Sequence, residues 1–132
     1  MGPELAAAFA MAGYDTTIAG RTPMARDAAA ARATEYAGDR PVTPAPIDTP
    51  TFRDVDIVVE TILEDLAVKH ELLGRIEPWC HPNTVIATNT SSLTIAEIAT
   101  VLARPERSAG FHFLKPGPLT GVAEIIPGPD TP

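Results

Sequence analysis

Apolar and polar positions along this chain come in blocks whose period switches between strand-like and helix-like. "DVDIVVETI" (54–62) is a continuous β-branched run, the pattern of a strand covered on both faces. "NTVIAT" (Asn83–Thr88), "RSAGFHF" (107–113) and "GVAEIIPG" (121–128) read the same way, and "DTTIAG" (15–20) is a shorter β-rich run. Helices fill the intervals. "GPELAAAFAMAGY" carries Pro3 where a first helical turn tolerates it, alanines that favour helix, and Gly13 as a closing cap. "TPMARDAAAARATEYAG" is a second helix closed near Gly38, and "LAVKHELLGRIEPW" sets Leu66, Leu72, Leu73 and Ile76 at helical spacing. "TIAEIATVLA" opens on a capping box, Thr94 as N-cap with Glu97 three residues on. The proline-rich stretch "RPVTPAPIDTPT" (Arg40–Thr51) reads as a loop.

The resulting order, αβα, βα, βα, ββ, predicts an α/β fold with a mostly parallel sheet and helices on both faces. Such doubly wound, Rossmann-like sheets bind ligands at the carboxyl ends of their strands. Two polar turns occupy those ends, "AGRT" after the first strand and "TNTSSL" after the third. A doubly wound nucleotide-binding domain opens on a strand and a glycine-rich turn that brings a pyrophosphate to the first helix. This sequence begins at the helix. The expectation is therefore a sheet lacking its first strand and most of the glycine-rich turn, with Gly2 as that turn's last glycine.

Composition narrows the classes. The 132 residues fit one domain, and 45% apolar content suffices for a core. A formal net charge of −7 argues against a nucleic-acid partner, which needs clustered Lys and Arg. The single cysteine, Cys80, cannot form an internal disulfide, and its position in "EPWCHPN" suits a helix end better than a nucleophile. With no apolar segment of membrane-span length and no signal peptide, the sequence reads as a cytoplasmic domain with no membrane partner. No metal site is expected.

Two ionisable residues sit where apolar runs should exclude them: His112 in "SAGFHF" and Glu124, twelve residues later, in "VAEIIPG". A lone histidine in a strand is ordinarily a satisfied core residue. A carboxylate in an apolar strand costs several kcal/mol, on the order of a buried unpaired charge, unless partnered. Pairing across neighbouring strands would offset both costs. It would also fix the imidazole tautomer and raise its basicity, as removal of a proton from an alcohol requires.

The segments "ETILEDLAVKHELLGRIE", "IATNTSSLTIAEIA", "RPERSAGFHFLKPGP" and "VAEIIPG", in this order, resemble the nucleotide-binding domain of the 3-hydroxyacyl-CoA dehydrogenase family. That family carries an E-x-x-x-x-K stretch, an N-T-S-S-L turn, and an H-F-F-N-P segment with a glutamate twelve residues past its histidine. The resemblance covers essentially the whole chain, with a shortened middle. It implies hydride transfer between C3 of a 3-hydroxyacyl thioester and the nicotinamide of NAD or NADP, as in fatty-acid β-oxidation. His112 becomes the general base, Glu124 its orienting partner, and Ser91 the hydroxyl that bonds the substrate oxygen, all in a low-dielectric cleft. Asn89, Glu64 and Lys69 are placed on the cofactor's ribose and nicotinamide side, and Gly2, Gly20 and Arg21 on the remainder of the dinucleotide. Glu60 is read as bonding backbone N–H groups, and so is Ser92. The implied domain organisation is a partial dinucleotide-binding domain over 1–132. The family's C-terminal helical substrate and dimer domain is absent, so this chain alone is expected to be incomplete and inactive, and its full-length parent homodimeric.

Departures from the pattern carry their own expectations. Where the family's second strand ends in an acidic residue for the ribose 2′-hydroxyl, this chain has Gly20, Arg21 and Thr22. An arginine there can pair with a 2′-phosphate, so NADP competes with NAD as the expected cofactor. "HFLKP" puts Lys115 in place of the family's amide, and Gly121 stands where a lysine is frequent. These changes leave open a related dehydrogenase acting on carrier-bound or free hydroxy acids. A non-catalytic dinucleotide-binding remnant is the other reading left open.

Overall fold

The computed structural model describes residues 1–114 and 122–132. The backbone orders into five α-helices and six strands among these residues, in two compact units. The first unit is built on Met1–Ile47 and the second on Asp48–Phe113 and Ala123–Pro132.

In the first unit α1 (Gly2–Met11) leads to β1 (Thr16–Gly20), α2 (Pro23–Ala37) and β2 (Val42–Pro46). α1 and α2 meet through small side chains: Ala6, Ala7, Ala10, Ala33 and Ala37 are buried with Val42, and Ile18 packs on them. Alanine serves twice here, as the best helix former and as a side chain small enough for two helices to lie close. Thr22 caps α2 by accepting from Ala25 N at 3.2 Å. Gly13 (φ 95°) and Gly38 (φ 69°) take the left-handed turns that let the chain leave each helix.

β1 and β2 pair in parallel, Thr16 opposite Val42 through Gly20 opposite Pro46. The sequence pattern predicts a loop over 40–51, and this is corrected: Val42–Pro46 is a strand and Thr49–Phe52 a short helix, α3, capped by Asp48. Prolines are tolerated in β2 because Pro44 and Pro46 lie two residues apart. Their missing N–H groups fall on the same, outer side of the strand, and pairing with β1 survives.

The second unit holds a four-stranded sheet of order β3-β4-β5-β6: Ile57–Glu60, Val85–Thr88, Ser108–Phe113 and Ala123–Pro127. β3, β4 and β5 are parallel and β6 is antiparallel to β5. α4 (Leu66–Ile76), capped by Asp65, joins β3 to β4, and α5 (Ile95–Ala99) joins β4 to β5. The capping box opening α5 is present, with Thr94 and Glu97 bonding reciprocally. Leu73, Ile76, Ile86, Ile98 and Phe113 are buried in this unit. The free thiol of Cys80 is also buried, which pushes its pKa up, and it donates to Ile76 O.

The mostly parallel α/β class holds. Among the described residues the strands form two ladders, as expected of a sheet that lacks its first strand. β1 pairs only with β2, and β3 only with β4, among the described residues. β3 is an edge strand among the described residues, and its Ile57, Val58 and Val59 are half-buried rather than fully covered as the apolar run predicts. No helix among the described residues is long and apolar enough to cross a membrane.

Candidate active site

β6 returns antiparallel to β5 in a register that sets His112 directly opposite Glu124. Directly opposed side chains share one face of the sheet, and here they meet: His112 Nδ1 lies 2.9 Å from Glu124 Oε2. A carboxylate can only accept, so the N–H sits on Nδ1 and the Nε2 lone pair remains available as a base. The pair is less buried than the apolar sequence context implies. The Glu124 side chain is 55% exposed and that of His112 25%. The expected low-dielectric setting is corrected accordingly: β6 is the sheet's edge strand, and Glu124–Pro127 are all exposed. The expected offset of two desolvation costs is then small, and the contact orients the ring more than it stabilises the fold.

His112 and Glu124 line a cleft of about 450 Å³ together with Thr90–Ala96, Ile126, Pro127 and Pro129. This is within the range of small-molecule sites. Ser91 stands exposed on one wall. The turn carrying it is held by Glu64, whose carboxylate accepts from Thr90 Oγ1 (2.6 Å), Ser91 N (3.1 Å) and Ser91 Oγ (3.4 Å). Burial alone would raise the Glu64 pKa. The Thr90 hydroxyl, the Ser91 N–H and the Lys69 charge outweigh it and hold the carboxyl below its ordinary value. Asn89 is half-buried and ties the turn to β5: its Oδ1 accepts from Phe113 N at 2.8 Å.

Lys69 reaches from α4 into the interior, and its ammonium is 1% exposed. It donates to both oxygens of Glu60 at 2.9 Å and to Ile62 O at 3.3 Å, with Glu64 Oε1 at 4.0 Å. All three of its N–H donors are thus committed inside the protein, so the expected contact with the cofactor would require it to release one. The reading of Glu60 as a bonder of backbone N–H groups is also corrected. It does accept from Ile62 N, but it also pairs with Lys69 and accepts from Thr88 Oγ1 at 2.6 Å. The hydroxyl that satisfies the turn's backbone is Thr90's, accepting from Leu93 N at 3.0 Å, a role the sequence pattern assigns to Ser92. Thr88, Thr90 and the Glu60–Lys69 pair were not singled out as a group in the sequence. The available signal was the one that marks Glu124, an ionisable residue ending an apolar run.

In the first unit Gly2 begins α1 and Gly20 ends β1. Gly20 has a packing reason to be glycine: a Cβ there would lie 2.9 Å from Arg26 Cβ of α2. Arg21 follows it, exposed. Lys115 and Gly121 lie outside the described residues.

An imidazole held by a carboxylate, beside a polar turn at the carboxyl end of a parallel strand, has the geometry to accept a proton from a hydroxyl placed in the cleft. The partly exposed Glu64 carboxylate and the exposed Ser91 hydroxyl suit sugar hydroxyls and a substrate oxygen.

The family model for the 3-hydroxyacyl-CoA dehydrogenase NAD-binding domain matches residues 1–132, and the chain belongs to this family. It is 40% identical over 108 residues to the fatty acid oxidation complex subunit alpha of Shewanella frigidimarina, covering 80% of this chain and 13% of that protein. It is 38% identical over 77 residues to 3-hydroxybutyryl-CoA dehydrogenase of Clostridioides difficile, covering 58% of this chain and 27% of that one. Among solved structures, 3-hydroxybutyryl-CoA dehydrogenase of Escherichia coli superposes with a TM-score of 0.87 at 29% identity, over 100% of this chain and 31% of the other. The (S)-3-hydroxybutyryl-CoA dehydrogenase of Ralstonia eutropha gives 0.89 at 26% identity, over 99% of this chain and 52% of the other. The chain thus spans between about an eighth and a quarter of the length of these two sequence relatives.

Proposed function

We propose that this chain is the dinucleotide-binding and proton-transfer domain of a dehydrogenase that interconverts 3-hydroxyacyl-CoA and 3-oxoacyl-CoA. The observation that carries this reading is the 2.9 Å contact between His112 Nδ1 and Glu124 Oε2 in a cleft shared with Ser91. His112 takes the hydroxyl proton on Nε2 as the alcohol is oxidised. Glu124 holds the ring and stabilises the imidazolium that forms. Ser91 turns its hydroxyl proton from Glu64 to the substrate oxygen while its backbone N–H stays on Glu64. When bound, NAD supplies the hydride acceptor. The reading assigns it Glu64 and Asn89, with Lys69 behind Glu64, in the second unit.

The test is a titration of the isotopically labelled chain with NADH, then with acetoacetyl-CoA, followed through the His112 and Ser91 resonances. Both shift and saturate under the proposal, whereas Asn83, outside the cleft, does not. No response at saturating dinucleotide overturns it. In any form that turns over, His112→Gln lowers the rate by orders of magnitude, about 10²–10⁴-fold, and leaves NADH affinity intact. The exposed Arg21 favours tolerance of a 2′-phosphate. Comparable dissociation constants for NADPH and NADH support that reading, and a strong preference for NADH removes it.

A further inference from the structure

The Glu60–Lys69 pair is the most buried charged group in the second unit, with side chains 0% and 1% exposed, and it does not line the cleft. A buried ion pair is poor evidence of stability, since its desolvation cost rivals its attraction. Its connections show what else it does. Glu60 holds the exit of β4 twice, accepting from Thr88 Oγ1 through its carboxylate and from Asn89 N, at 2.8 Å, through its own carbonyl. It also holds Lys69, whose other carboxylate neighbour among the described residues is Glu64. Glu64 in turn carries the Ser91 N–H and hydroxyl.

Lys69 therefore stands between two carboxylates with different tasks. While Glu60 holds it at 2.9 Å, Glu64 remains 4.0 Å away and is left for Ser91. We propose that Glu60 is a positioning residue: by capturing Lys69 it keeps Glu64 on the Ser91 turn. The inference rests on the reading above only in taking Ser91 as a substrate contact.

The mechanism predicts an unusual pattern of loss and rescue. Glu60→Gln keeps the shape and removes the charge that holds Lys69. The ammonium then turns to Glu64, and Glu64 leaves Ser91. In the double variant Glu60→Gln/Lys69→Met no competitor remains, so Glu64 returns to Ser91. A residue needed only for packing would give a double variant no better than the single one.

The experiment is amide hydrogen exchange and pH titration of the Ser91 N–H by NMR, on the whole chain without ligand. Ser91 exchanges about tenfold faster in Glu60→Gln than in the wild type and returns to within about twofold of it in the double variant. The Ser91 shift follows the Glu64 carboxyl. Among the described residues the ionisable groups around that carboxyl are Lys69 and, behind it, Glu60, while Asp65 is engaged in capping α4. The titration midpoint therefore falls in Glu60→Gln, which loses an anion and lets the cation approach, and rises in the double variant, where the nearer cation is lost together with the anion behind it. If Glu60→Gln does not fold, retained protection and a raised midpoint in the double variant carry the test. Unchanged Ser91 exchange in a folded Glu60→Gln overturns the proposal, as does a double variant without protection or without the rise. NADH takes no part, so a chain that fails to bind it refutes the proposed function and leaves this result standing.

Discussion

Lys69→Met strands the Glu60 carboxylate in the interior. With both Lys69 bonds gone, Glu60 keeps only Thr88 Oγ1 and Ile62 N as side-chain donors among the described residues, and its side chain is 0% exposed. Removing one member of a buried pair costs about 3–5 kcal/mol, because the remaining charge is neither solvated nor neutralised. Replacing both members with neutral groups of similar size is close to neutral, because the desolvation of two charges disappears with their attraction. Small domains lose about 1–3 kcal/mol of stability per molar urea. The single variant should therefore unfold at least about 1 M urea earlier than the wild type, and Glu60→Gln/Lys69→Met should recover most of that. The chain's one tryptophan, Trp79, follows α4 in the second unit and stacks under Arg75 at 5.6 Å. Its fluorescence reports the unfolding of the relevant part directly. A Lys69→Met midpoint within about 0.3 M of the wild type would refute the reasoning, because Lys69 is the one cation paired with Glu60 among the described residues. A double variant weaker than the single one would refute it equally.

Acid should destabilise the second unit through Glu64. Its folded pKa lies below the ordinary 4.5, so its contribution is complete above that value and is lost as pH falls through the lower folded one. The urea midpoint read at Trp79 should fall as pH drops below the ordinary 4.5, and Glu64→Gln should flatten part of that decline; an unchanged acid limb in Glu64→Gln contradicts the assignment. Gly128→Ala should cost about 1–3 kcal/mol, measured as a urea midpoint, because its Cβ would lie 2.9 Å from Ile95 Cγ2 on a buried, β-branched side chain. Trimming Ile95 to Ala in the same chain should make the added methyl harmless, and an equal cost in both backgrounds would mean the contact is not the cause.

Much of this arrangement was legible because its signals are local. Helix caps at Thr94, Gly13 and Gly38 are written within four residues of the ends they close. The His112–Glu124 pair was legible for a different reason. Two ionisable residues in adjacent apolar strands joined by a short connection can hardly avoid each other once the strands are antiparallel. The misses are non-local or depend on which edge is open. β2 was hidden by its prolines, which mark loops unless both face the unpaired side of an edge strand, and only pairing with β1 reveals that. The exposure of Glu124 was hidden likewise, because an apolar run such as "AEIIP" does not say whether a further strand covers it. Lys69 on α4 reads as a solvated helix start. Its burial follows from a carboxylate nine residues earlier, a spacing that matches neither helix nor strand and is set by the turn between β3 and α4.

The account turns on the imidazole of His112 being held by Glu124 with its outer nitrogen free. Nitrogen-15 NMR of the histidine rings at a pH high enough to leave them neutral tests this directly. The account predicts that His112 carries its proton on Nδ1 in the wild type, with Nε2 as an unprotonated acceptor, and that Glu124→Gln abolishes this bias. A proton on Nε2, or a tautomer balance indifferent to Glu124, would contradict it.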